Sequence, residues 1–291
     1  MFYKADCLDK GKGDSISALV ALTPSESRRL IAKAIAVLPE VKYALEKGLV
    51  VIARGSTNAF VAEEIMGISI EDKADEYCRG FIVDGELYAN RKRHTERSIG
   101  YDFVLRHGKL EEVDFQEVMQ EFTATDVFIK GANAVDSAGE AGVLAAGTAA
   151  GTIGKALPAV IFAAAHLVVP VGLEKLVSSV PTASRNCGAL SFKYSTGLPC
   201  TLVPIINAEV VTEIQAFKIL AGVNATHVAS GGIGGSEGTV VLSLEGSDSN
   251  IEKAFELVKT VKGEPPVKHP SVTTPPAASM NYDPIALREA I

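Results

Sequence analysis

The chain has 291 residues, 47 % of them hydrophobic, and carries 28 Lys and Arg against 35 Asp and Glu, for a net charge of −7. That size and apolar content suit one large domain or two modest ones around a real core. An acidic pI near 5.4 leaves no basic field for nucleic acid, and the one dense basic run, Arg91-Lys92-Arg93-His94, is followed by Glu96 and reads as a solvated face.

Residues 1–22 read as an N-terminal extension, and their opening stretch lacks the apolar centre of a secretory signal. The longest apolar stretch, Ala156 to Val171, is broken by Pro158, His166 and Pro170 and falls short of the ~20 residues a membrane span needs. The sequence therefore predicts a cytoplasmic protein with no membrane partner. Cys7, Cys78, Cys187 and Cys200 form no CxxC pair, and five scattered histidines have no ligand spacing, so free thiols, no metal and no other cofactor are expected.

Thr23-Pro24-Ser25-Glu26 predicts a helix start, with Thr23 as cap, Pro24 at the first helical position and Glu26 completing a capping box. Leu30, Ile31, Ala34, Ile35 and Leu38 recur at helical spacing, and a second helix is predicted from Pro39 to Lys47, closed by Gly48. The run Leu49-Val50-Val51-Ile52-Ala53 is apolar at every position, as a parallel strand covered on both faces must be. It stops at Arg54-Gly55-Ser56-Thr57, and a helix pattern starts at once. Backbone N–H groups and two hydroxyls at a helix N-terminus favour an anion.

A hairpin is predicted around Asp84-Gly85, then another strand with a turn at Gly108, and a short helix capped by Asp114 follows. The stretch from Asp126 to Lys130 predicts a second buried strand feeding a polar turn, and 159–177 a helix and a third strand, His166 to Val171, with His166 as a core residue. Strands alternating with helices imply a doubly wound, mostly parallel sheet, whose ligand site lies at the carboxyl ends of the strands. Beyond it, 198–263 predicts a small α+β unit of split β-α-β type: a strand at 198–206, a helix at 208–222, two strands around Gly231–Gly235, and a last helix. The glycines of 231–235 open no helix, so they make a hairpin and no dinucleotide loop. From Glu264 a proline-rich tail runs to 291, with a capped turn or two at its end.

Several of these segments resemble ribose-5-phosphate isomerase A, in order, from about Pro24 to Gly263. Residues 53–65 resemble its GSGST phosphate loop and 126–136 its DGADEVD strand end; 145–159 stand where it has a glycine-rich turn. Residues 169–177 resemble its strand ending in SKLV, and 198–205 its LPVEVIP. The resemblance extends to the superfamily that also holds glucosamine-6-phosphate deaminase, sugar-responsive transcriptional sensors, methylthioribose-1-phosphate isomerase and the CoA transferases. It implies an α/β fold of that kind over 23–197, with a ferredoxin-like second domain over 198–263. It also implies that Gly55, Ser56, Thr57 and Lys175 hold a substrate phosphate. The isomerase carboxylates do not carry over, because Lys130 and Asn133 stand at those positions, and Lys155 or a neighbour stands at the third. Asparagine cannot act as a base.

The carboxylates that remain near the second strand end are Asp136 and Glu140, and the CoA-transferase members use a glutamate nucleophile in a broadly similar region. Glu140, Asp136 and Lys130 are therefore the expected catalytic residues, with Asn133 and Thr148 beside the phosphate-holding set. The expected function is binding of a small phosphorylated or otherwise anionic metabolite by a homo-oligomer, with isomerisation or a related proton transfer on a sugar phosphate. The alternatives are a non-catalytic ligand-binding or regulatory protein, and an acyl or CoA transferase acting through Glu140.

Overall fold

The computed structural model describes residues 15–89, 102–147 and 149–271. Strand β1 (Ser15–Leu22) leads into helix α1 (Pro24–Ile35) and helix α2 (Pro39–Lys47). The capping box is formed: the Thr23 hydroxyl accepts the Glu26 amide and the Glu26 carboxylate accepts the Thr23 amide. Strand β2 (Leu49–Ile52) is buried at all four positions and runs into α3 (Ser56–Met66) and the short α4 (Lys73–Tyr77). Two hairpins follow, β3 (Gly80–Val83) with β4 (Glu86–Ala89) and β5 (Phe103–Arg106) with β6 (Lys109–Glu111). Both turn through consecutive positive-φ residues, Asp84-Gly85 and His107-Gly108, the backbone that a two-residue turn between twisted strands requires.

Helix α5 (Phe115–Val118), capped by Asp114, precedes β7 (Val127–Ile129), β8 (Ala134–Val135) and β9 (Ala141–Ala145). Helix α6 (Gly151–Ala163), β10 (His166–Pro170), a 3₁₀ turn at Leu173–Lys175 and α7 (Val180–Arg185) come next. The chain closes with β11 (Thr201–Ile205), β12 (Glu209–Val211), α8 (Glu213–Ala221), β13 (Asn224–Gly231), β14 (Thr239–Ser247) and α9 (Asp248–Val261).

The main sheet has the order β12-β10-β7-β2-β5-β6. Its first four strands are parallel, and β5 and β6 extend it antiparallel, so the architecture is mixed α/β. The three apolar runs predicted as central strands are β2, β7 and β10, adjacent and in register, Val50 against Val127 and Val127 against His166. Their carboxyl ends are clamped together. Fully buried Asn58 donates from Nδ2 to the carbonyls of Ala53 (2.5 Å) and Ile129 (3.1 Å), tying β2 to β7. The buried Tyr77 hydroxyl donates to the Ile52 carbonyl (2.5 Å) and accepts the Phe103 amide (3.3 Å), tying β2 to β5.

The structure departs from the sequence expectations in four places. Residues 15–22 are not a loose extension: β1 pairs along its whole length with β14, from Ser15 opposite Ser247 to Leu22 opposite Val240. Glu209–Val211, predicted as the first turn of a helix, form β12 beside β10, and α8 begins only after Thr212 caps it. The β-branched run Val210-Val211-Thr212 suits a strand better than a helix. Strand β11, predicted for the small unit, pairs with β9 in a separate sheet of order β11-β9-β8, leaving the small sheet as β1-β14-β13. His166 is exposed at the head of β10, ahead of the buried run Leu167–Pro170. The Arg91–His94 run, Cys7, Thr148 and the end of the tail lie outside the described residues.

Candidate functional site

A cavity of about 700 Å³ opens at the carboxyl ends of β2 and β7. Its wall is built by the Arg54–Thr57 turn, the β3–β4 hairpin, the start of α5, residues 130–133, the end of β9 with the start of α6, and Lys175. The β3–β4 hairpin is held there by backbone bonds, Leu87 N to Thr196 O (3.1 Å) and Leu198 N to Leu87 O (2.8 Å). Gly197 sits at this crossing with φ +88°, and a Cβ on it would meet the Leu87 carbonyl oxygen.

Helix α3 starts from Gly55, which has no side chain with which to cap the first N–H groups. A Cβ built on Gly55 would meet nothing within 4 Å, so the space over this helix start is open. Thr57 is buried in the wall. Lys130 leaves the end of β7, and its ammonium donates to the Gly131 carbonyl (3.2 Å). Lys175 comes from the 3₁₀ turn after β10 and donates to the Ala132 carbonyl (3.0 Å). That turn is fixed from below, where the Leu173 amide donates to the fully buried Glu213 carboxylate (2.9 Å).

Both lysines are half-buried and line the cavity. Burial lowers the pKa of Lys130 to about 8, against the pull of Asp102 and with the repulsion of Lys175. Burial lowers Lys175 as well, against the attraction of Glu174. Asp102, whose carboxylate accepts the Arg54 amide (2.7 Å), is raised by its own burial in spite of that bond and the nearby cations. The described wall carries five cationic side chains, Arg54, Arg79, Lys130, Lys155 and Lys175, and two carboxylates, Asp102 and Asp114. It is positive in a chain whose net charge is −7.

Of the residues singled out in the sequence, Gly55, Ser56, Thr57, Lys130, Asn133 and Lys175 all reach this one wall. Asn133 is engaged there, its Oδ1 accepting the Leu144 amide (3.0 Å). Asp136 and Glu140 are not on the wall; they sit in the turn between β8 and β9. Burial alone would raise Asp136, but bonds donated by the amides of Val180 (2.8 Å), Glu140 (3.1 Å) and Ala138 (3.0 Å) outweigh it and hold its carboxyl below the ordinary aspartate range. Asp136 therefore organises a turn and docks α7, and Glu140 is exposed to solvent. Arg54, Arg79 and Asp102 escape sequence reasoning. They come from three separate segments with no common spacing, and only the position of Arg54, immediately before Gly55, is a local sign.

Among the described residues no group of three or more His, Cys, Asp or Glu could hold a metal ion, and no helix is long and apolar enough to cross a membrane. No protein-family model, curated protein or solved structure matches this chain.

Proposed function

We propose that the chain binds a small phosphorylated metabolite in this cavity, with the phosphate at the start of α3. The observation that carries this is the convergence of an uncapped helix N-terminus with two half-buried lysines on one wall. An anion there accepts helix N–H groups and restores a counter-charge to two ammonium groups that burial disfavours. The resemblance to the ribose-phosphate-isomerase superfamily supports the same place for the phosphate. The parallel order β12-β10-β7-β2 supports a doubly wound fold of that kind, with the ligand outside the strand ends. The three-stranded β1-β14-β13 sheet lends the ferredoxin-like reading less support, since β1 comes from the N-terminus.

The reaction class proposed is proton transfer on a sugar phosphate. Its acid and base are Lys130 and Asp102, whose surroundings push one down and the other up towards the range useful for such chemistry. Acyl transfer through Glu140 finds no support, because Glu140 stands off the cavity.

A thermal-shift screen tests the binding. Phosphate esters of small sugars should raise the melting midpoint, and unphosphorylated ribose should not, because only a compound that binds the folded state stabilises it. Catalysis is then read as isomer formation from the stabilising esters, and its absence would assign the site to a binding protein. A screen in which CoA esters shift the midpoint and sugar phosphates do not would contradict the proposal.

A further inference from the structure

Lys130 is held in the cavity by a bond that does not require its charge. Strand β7 lies between β2 and β10, so Lys130, at its carboxyl end, is flanked by the turns after those two strands, which carry Gly55–Thr57 and Lys175. Its Nζ donates to the Gly131 carbonyl (3.2 Å), and among the described residues it forms no ion pair. A neutral amine makes that bond as an ammonium does and keeps its lone pair for a ligand.

The surroundings of the two lysines divide their roles. Burial lowers Lys130 to about 8 and Lys175 adds to the fall, while Asp102, beyond ion-pair distance, and the buried Cys78 oppose it. Lys175 is lowered by burial too, but Glu174 and Glu213 favour its charge, which suits it to holding a phosphate. At pH 7 roughly a tenth of the Lys130 amines are neutral, on the order of 200 times the share of an exposed lysine at ~10.4. The thiols here are not competitors: burial pushes Cys200, on the wall, up to about 11 and Cys78 up to about 12, so both stay protonated. Desolvation beside another cation is what turns a lysine into a nucleophile towards carbonyl carbon.

We infer that Lys130 forms an imine with the carbonyl carbon of the bound ligand, so that the cavity takes phosphorylated aldehydes and ketones. This rests on the phosphate site proposed above and adds a covalent step to its chemistry. The amine lone pair forms the C–N bond while the carbonyl π pair moves to oxygen, and a proton passes from nitrogen to that oxygen to give a carbinolamine. Asp102, on the same wall and moved by burial towards its neutral form, gives a proton to the hydroxyl, which leaves as water while the nitrogen lone pair closes the C=N bond as an iminium. The iminium acidifies the adjacent C–H, and the Asp102 carboxylate left by the first transfer takes that proton.

Borohydride trapping tests the step. The full chain is incubated with ribulose 5-phosphate or glyceraldehyde 3-phosphate, reduced with sodium borohydride and mapped by peptide mass spectrometry. The expected result is a reduced adduct on Lys130, with Lys155 and Lys175 unlabelled, lost in Lys130→Arg and suppressed by excess glycerol 3-phosphate, which has the phosphate and no carbonyl. The wild-type map names the lysine even if the variant does not fold. Labelling of other lysines without Lys130, or no labelling by esters that raise the melting midpoint, overturns the imine and leaves the phosphate site standing. Labelling of Lys130 by unphosphorylated ribulose as fast as by its 5-phosphate, undisturbed by glycerol 3-phosphate, keeps the imine and overturns the phosphate site. Neither labelling nor a shifted midpoint overturns both.

Discussion

Lys130 shows how one residue's surroundings set two opposite pH responses. Its folded pKa of about 8 lies below the ~10.4 of an exposed lysine, so between these values the unfolded chain holds a proton that the folded chain has released. Stability from this group is therefore lowest below about pH 8 and rises as pH goes from 8 towards 10. Anion affinity runs the other way, because the deprotonated amine no longer supplies a charge. Binding of inorganic phosphate should weaken through this window in the wild type and lose most of that dependence in Lys130→Met. Calorimetric titrations at pH 7 and pH 9 check it, and identical pH dependence in both proteins would remove Lys130 from the site.

At the scale of elements, two substitutions separate scaffold from site. Leu22 is fully buried in β1, so Leu22→Ala should cost about 2–5 kcal/mol of unfolding free energy, a loss no loose extension would show. Ser56 follows an N-cap glycine and provides no cap, so Ser56→Ala should cost well under the ~1 kcal/mol typical of a lost N-cap; denaturant unfolding measures both. The same distinction marks what the sequence makes legible. β2, β7 and β10 can be read because every position is apolar, and α1 because its capping box is local. β1 cannot, because only Val20 and Leu22 of its eight residues are buried and its partner lies some 230 positions away. β8 and β9 are built largely from Ala, Gly and Val, which carry no clear period. In the site, Ser56 and Lys175 are legible from turn and motif, whereas Arg54, Arg79 and Asp102 meet only through the tertiary fold.

Over the whole molecule, an acidic chain brings five cationic side chains to the wall of one opening. Outer acidic surface does not attract phosphate, so affinity has to come from the wall itself, from the helix dipole and half-buried ammonium groups. Such a site costs folding free energy when empty and regains it on binding, and removing one of its cations separates the two effects. The most direct measurement is calorimetric titration of inorganic phosphate and ribose 5-phosphate into wild type and Lys175→Met, with the melting point of each unligated protein recorded. The account predicts saturable binding to the wild type, weakened about ten- to 150-fold in Lys175→Met, the 1.5–3 kcal/mol of a charge-assisted hydrogen bond, with an unligated melting point no lower than the wild type's. Equal affinity in the two proteins, or a variant that loses stability without losing affinity, would contradict it.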